Sequence, residues 1–142
     1  MREILFRGKR VDSSDWVYGV PTKDGHGETV MMEENTFKCD EYNCRSANFL
    51  YVDENTIGQY TGLTDKNGTK IFEGDIVSTD LERPYNIVVF RDGCFMFNCN
   101  DGNQDYYDIM LPILRSEHTH YEYGEVIGNI YDNTELLRGD TE

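Results

Sequence analysis

Apolar and polar residues alternate along this chain in short runs separated by turn residues, which is the period of β-strands. Ile4, Phe6 and Gly8 alternate with Glu3, Leu5 and Arg7. The cluster Asp12-Ser13-Ser14-Asp15 reads as a turn, and Trp16, Tyr18 and Val20 then share one face of a second strand. Together they predict a hairpin. A polar loop at 23–28 leads into Thr29-Val30-Met31-Met32. Residues 33–48 are polar without clear periodicity and read as a loop. Phe49-Leu50-Tyr51-Val52 reads as a short strand that Asp53-Glu54-Asn55 breaks.

The central segment reads as two strands, 57–61 and 71–79, joined through Asp65-Lys66-Asn67-Gly68. Asn and Gly accept the positive φ that tight turns need. Gly58 marks a bulge, and Gly74-Asp75-Ile76-Val77 starts the better-paired half of the second strand. The next hairpin can be registered. Asp92-Gly93 is a two-residue turn, so Arg91 pairs with Cys94, Phe90 with Phe95 and Val88 with Phe97. Those four apolar residues are expected in the core. Val89 and Met96 lie on the opposite face, which is also apolar and is expected to be covered by another lobe or subunit. Residues 98–105 read as a polar loop. Residues 106–115 fit a short strand or a helical turn, 121–123 and 125–131 read as final strands, and Asn133 caps a last turn through Leu137.

Four stretches carry a family resemblance. They are Arg2-Glu3-Ile4-Leu5-Phe6-Arg7-Gly8, Trp16-Val17-Tyr18-Gly19, the long run 57–77, and Val126-Ile127-Gly128-Asn129-Ile130-Tyr131-Asp132-Asn133 with Leu136-Leu137. Their order and spacing resemble the YopX-like proteins of phages and prophages over roughly residues 1–137. Residues 23–55 match poorly. The resemblance implies a phage-type accessory protein and makes an oligomer plausible. It carries over no activity and no catalytic residues.

The length of 142 residues suits one domain or two small lobes. Ten Tyr, seven Phe and thirteen Gly favour pleated, half-buried surfaces with frequent turns. The expected architecture is mostly β: an N-terminal β lobe at 1–55 with a variable loop, a C-terminal β lobe at 56–137, and a tail at 138–142. By analogy with the Gly-Asp that opens strands in small SH3-like barrels, the second lobe is expected to be barrel-like. Nothing near the start has the apolar core of a signal peptide, and no apolar run reaches the length of a membrane span. The expected location is the cytosol of a bacterial host, with reduced thiols.

Charge narrows the partners. The net charge is −14 and uneven: residues 1–10 carry Arg2, Arg7, Lys9 and Arg10, whereas residues 101–142 carry ten acids against Arg115 and Arg138. An acidic body repels nucleic-acid phosphates. The bland reading is a soluble surface, and the sharper one is a face for a basic partner, including imitation of DNA.

Candidate chemistry is sparse. The stretch from Gly62 to Lys70 places five residues between glycines where a phosphate loop needs four, and it reverses the Lys-Thr order. Cys39, Cys44, Cys94 and Cys99 form two Cys-x4-Cys pairs. On one strand, residues 94 and 99 face opposite sides, so they do not converge on zinc, and Cys99 reads as a core residue beside Phe95 and Phe97. His118 and His120 have a strand-borne ligand spacing, weighed against two solvated imidazoles. Asp101, Asn103 and Asp105 resemble half a calcium loop, but Tyr106 and Pro112 occupy the positions that need Gly and Glu. No catalytic, cofactor-binding or metal-ligating residue is therefore assigned.

The favoured reading is a non-enzymatic interaction protein that self-associates and binds a host or phage protein, with no direct nucleic-acid binding and no membrane. The competing readings are an acidic DNA mimic or host-protein inhibitor, and a metal-dependent enzyme using His118 and His120. The charge balance predicts that duplex DNA binds weakly or not at all at physiological salt. Fluorescence anisotropy checks this: sub-micromolar, salt-sensitive binding would contradict it and would point to Arg2, Arg7, Lys9 and Arg10.

Overall fold

A computed structural model describes residues 1–42, 44–79, 86–100, 105–110 and 124–137. Strands dominate: β1 (Phe6–Arg10), β2 (Trp16–Lys23), β3 (Thr29–Glu33), β4 (Lys38–Cys39), β5 (Cys44–Ser46), β6 (Phe49–Thr64), β7 (Lys70–Phe72), β8 (Asp75–Ser78), β9 (Asn86–Arg91), β10 (Cys94–Asn100), β11 (Asp105–Ile109) and β12 (Glu125–Asn129). A 3-10 turn, Thr134–Leu137, follows Asn133, whose carbonyl accepts the Leu136 N–H at 3.1 Å. The mostly-β expectation holds. The chain divides into two compact units, Met1–Tyr60 and Thr61–Glu142.

In the first unit, β1, β2, β3 and β6 pair in that order, and β6 returns to pair with β1. The four strands thus close on themselves, which removes free edges without help from another chain. Closure requires a long, curved strand, and β6 supplies it with a bulge. Lys9 pairs with Asp53 and Arg7 with Gly58, so the residues between them are accommodated opposite Gly8. Asp53-Glu54-Asn55 does not break the strand, as its polarity suggested. Thr56 stabilises the bulge instead: its Oγ1 accepts the Lys9 N–H at 2.8 Å and donates to the Asp53 carbonyl at 2.7 Å.

Inside the ring lie Val17, Met31 and Val52, with Phe6, Leu50 and Ile57 against them. The face shared by Trp16, Tyr18 and Val20 points the other way, and Val20 is exposed. Gly19 lies on the inner side, where a Cβ would stand 1.8 Å from the Met32 carbonyl oxygen. Only glycine lets β2 and β3 approach so closely. The segment 33–48, expected to be a loop, contains the two-stranded ribbon β4–β5.

In the second unit, the sheet order is β11-β10-β9-β8-β12. The predicted register holds residue for residue, with Arg91 opposite Cys94, Phe90 opposite Phe95 and Val88 opposite Phe97. Asp92 and Gly93 both have positive φ, as a type I′ turn requires. Val88, Phe97 and Cys99 are core, together with Ile71, Val77 and Met110. Phe90 is not core, being 54% exposed. It sits beside the turn, at the end of the hairpin, and packs edge-to-face on half-buried Phe95 with ring centres 5.1 Å apart. Residues 106–109 take the strand alternative, within β11. The expected strand at 121–123 lies outside the described residues. Ile71–Thr79, expected as one strand, is β7 and β8 separated by a turn at Glu73-Gly74.

Asp65 anchors this unit and is 2% exposed. Its Oδ1 accepts the N–H groups of Asn67 and Thr69, each at 2.9 Å, which fixes the Asn-Gly turn. Its Oδ2 accepts the Val126 N–H at 3.0 Å, on β12. Replacing Asp65 by Ala would remove the acceptor of all three part-buried bonds. The expected cost is about 2 kcal/mol, read as a lowered urea midpoint at constant m.

Candidate functional site

Two features qualify, one in each unit. The first is a cleft of about 640 Å³ in the first unit, lined by Lys9, Arg10, Lys23, Thr29, Glu54 and Thr56 among others. The β6 bulge forms one wall, and the ends of β2 and β3 form another. The lining mixes three cations, Lys9, Arg10 and Lys23, with three carboxylates, Glu28, Asp53 and Glu54. Much of this polar capacity is already engaged. The Lys23 Nζ donates to Thr29 Oγ1 at 2.6 Å and to Glu54 Oε2 at 2.7 Å, and Thr29 Oγ1 donates to the same carboxylate at 3.1 Å. Arg10 grips Asp12 with two bonds, at 2.8 and 2.6 Å. The Lys23 ammonium accordingly holds Glu54 below the usual carboxylate range. Balanced, paired charges do not select an anion such as phosphate.

At the cleft's rim, Asp24 organises the turn between β2 and β3. Its Oδ1 accepts the N–H groups of His26 at 2.8 Å and Glu28 at 2.9 Å. Its Oδ2 accepts the Tyr51 hydroxyl at 3.0 Å. The backbone donors, His26 first, lower the Asp24 pKa, and Asp24 raises that of Tyr51.

The second feature is the outer face of the β9–β10–β11 sheet. Val89 pairs with Met96, and Met96 with Ile109, giving one apolar row across three strands. Ile109 is 66% exposed, whereas Val89 and Met96 are half-buried. Beside the row, the Arg91 guanidinium lies 4.0 Å from the centre of the Tyr107 ring. A guanidinium stacked on an aromatic ring next to apolar anchors is the composition of protein-binding hot spots.

The residues singled out from sequence fall as follows. Cys94 is exposed and Cys99 is buried, as their odd separation on β10 required. The Cys99 thiol donates to Asn86 Oδ1 at 2.8 Å. Asn86, which sequence reasoning passed over, is itself buried, and its Nδ2 donates to the Val77 carbonyl at 3.3 Å. His118 and His120 lie outside the described residues, as do Asp101, Asn103 and Pro112. Among the described residues, no three His, Cys, Asp or Glu side chains gather where they could hold a metal. The basic N-terminal segment does not present a simple cationic patch. Arg7 is 6% exposed, and its guanidinium lies 4.5 Å from the Trp16 ring centre, with Lys9 at 5.4 Å from the same ring.

The strongest sequence motifs build structure. Asp65 closes the 57–77 motif. In the closing motif, Asn129 Oδ1 accepts the N–H groups of Tyr131 and Asp132, at 3.0 and 2.9 Å, and Asn133 Oδ1 accepts that of Asn129 at 3.1 Å. A Cβ on Gly128 would stand 2.4 Å from that Asn133 oxygen, which explains the glycine. These motifs define a fold, and the class is a two-unit antiparallel β protein.

The chain belongs to the YopX family, whose model, described as YopX protein, matches residues 5–138. No curated protein matches it. Among solved structures it is similar to the crystal structure of protein EF1440 from Enterococcus faecalis, with a TM-score of 0.63 and 24% identity, over 96% of this chain and 99% of that one. That likeness establishes the fold. Among the described residues, no helix is long and apolar enough to cross a membrane.

The Asp24 turn has a defined pH response. Because the folded-state pKa is depressed, the turn's stabilisation is present above the ordinary carboxylate pKa and is lost as pH falls through the lowered value. We expect the amide signals of His26 and Glu28 to shift and exchange faster at acid pH. An NMR titration checks this, and Asp24→Asn should remove the transition.

Proposed function

We propose that this protein is a phage- or prophage-encoded accessory protein that works by binding other proteins in the host cytosol, and that it self-associates. The observation that carries this reading is the row Val89, Met96 and Ile109, flanked by Arg91 on Tyr107. Ile109 ends the edge strand β11 and is 66% exposed, so it gains little burial within its own sheet. Burial against a second copy removes it from water, and symmetric closure doubles the gain.

Charge is consistent with an apolar contact. Each chain carries −14, so two copies repel unless their contact excludes the acids. The row contains none, and Arg91 supplies a cation at its margin. The same surface suits a host or phage protein once the assembly opens. Imitation of DNA rests on the net charge alone, and a host DNA-binding protein recovered by pull-down would favour it. The metal-enzyme reading gains nothing from the described residues.

Light scattering at micromolar concentration tests self-association, with an expected mass of at least two chains. Ile109→Arg should shift the population to one chain. Because Ile109 is exposed in the single chain, the stability of the monomer itself should change little, by about 0.5 kcal/mol or less. A wild-type protein that stays monomeric across this range overturns the proposal.

A further inference from the structure

We propose that Asn67 is a deamidation site gated by the Asp65 turn, and that the reacted chain cannot rebuild that turn. Asn67 is the only asparagine in the sequence that is followed by glycine. Deamidation needs the next residue's peptide nitrogen to reach the asparagine side-chain carbonyl carbon, and a side chain on that next residue obstructs the approach. Gly68 carries none, and nothing lies within 4 Å of where its Cβ would stand. Both residues are exposed to water.

The folded turn holds both reacting groups in other bonds. The Gly68 N–H, which carries the nucleophilic nitrogen, donates to the Asp65 carbonyl at 3.0 Å, and Gly68 is held at a φ of 81°. Asn67 Nδ2, the leaving group, donates to Glu125 Oε1 at 3.4 Å, on β12. The Asn67 N–H is tied to Asp65 Oδ1 at 2.9 Å, and the same oxygen accepts the Thr69 N–H. Reaction therefore waits for a local opening that breaks these bonds. Because Asp65 also accepts the Val126 N–H, the gate on Asn67 is the joint between the central motif and β12.

The chemistry balances with water as the co-reactant. The Gly68 nitrogen gives up its proton and bonds to Asn67 Cγ. The Cγ–Nδ2 bond breaks, and the side-chain nitrogen takes up a proton and leaves as ammonia. Water then opens the cyclic imide at either carbonyl. Opening at Cγ leaves Asp, which sets a carboxylate where the amide faced Glu125 and adds a negative charge to a chain at −14. Opening at the main-chain carbonyl leaves isoaspartate, which lengthens the backbone by one carbon ahead of Gly68. Gly68 and Thr69 then no longer meet Asp65.

The test incubates the full chain at neutral pH in isotopically labelled water, folded and in urea, and digests samples with Glu-C endoproteinase at acid pH. Cleavage after Glu54 and Glu73 releases residues 55–73, and fragmentation locates the label. Label is expected at Asn67, entering about tenfold or more slowly in the folded chain than in urea. Asp65→Ala should raise the folded-chain rate about tenfold or more. Asp65→Asn, which keeps an acceptor oxygen, should fall between the two and carries the comparison if the alanine variant does not fold. The reacted fraction should unfold at lower urea than the unreacted one. The proposal is overturned if Asn67 never reacts in the folded chain, or reacts there as fast as in urea. It is equally overturned if the Asp65 variants match the wild-type rate, or if reacted and unreacted chains unfold at the same urea concentration.

Discussion

The second unit depends on one buried carboxylate. Asp65 accepts three backbone N–H groups, two within its own turn and one from Val126, sixty-one positions later. A buried carboxylate is tolerable only when its oxygens are satisfied, and here the donors are peptide groups that would otherwise be unpaired themselves. Neighbouring contacts follow the same line. Lys66 N–H donates to the Gly124 carbonyl at 3.1 Å, and the Lys66 ammonium reaches Glu125 at 3.8 Å. The central and closing motifs of the family are thus two halves of one hydrogen-bonded joint. Asp75 extends it, accepting the Phe72 N–H at 2.8 Å, while Gly74 bonds through its N–H to Val88 and through its carbonyl to Ile130.

The first unit solves a different problem. A small sheet with a handful of apolar residues cannot leave edges open and remain stable. Closing β6 onto β1 removes the edges, and the β6 bulge supplies the curvature. The polar residues gathered at that bulge create the cleft as a by-product. Lys23, Thr29 and Glu54 satisfy one another there, and exposed pairs of this kind contribute little to stability.

The proposed binding role rests on surfaces. Family motifs are consumed by turns, joints and close approaches, so they identify the fold. The outer face of the β9–β10–β11 sheet lies away from those motifs. Changing a residue on this surface does not break a buried hydrogen bond.

Local physics explains what was legible from sequence. Asp92-Gly93 demands a two-residue turn, and that turn dictates the register of every residue in its hairpin, including the opposite facing of Cys94 and Cys99. The Asn67-Gly68 turn follows from a side chain, that of Asp65, that bonds the backbone just after it; Asn133 precedes the last turn as expected, but its side chain turns back to the Asn129 N–H and does not cap it. Tertiary structure decided the rest. Alternation puts Trp16, Tyr18 and Val20 on one face but cannot say which face is inside, and ring closure chose Val17 and Gly19. Register paired Phe90 with Phe95, yet position at the end of the hairpin left Phe90 outside the core. Asp53-Glu54-Asn55 reads as a strand breaker, and only the return of β6 to β1 makes it a bulge. The third bond of Asp65 and the pairing of Val89 and Met96 with Ile109 join residues distant in sequence. Hydrophobic pattern and turn chemistry act over a few residues. Which side of a strand becomes interior depends on strands that pattern alone does not bring together.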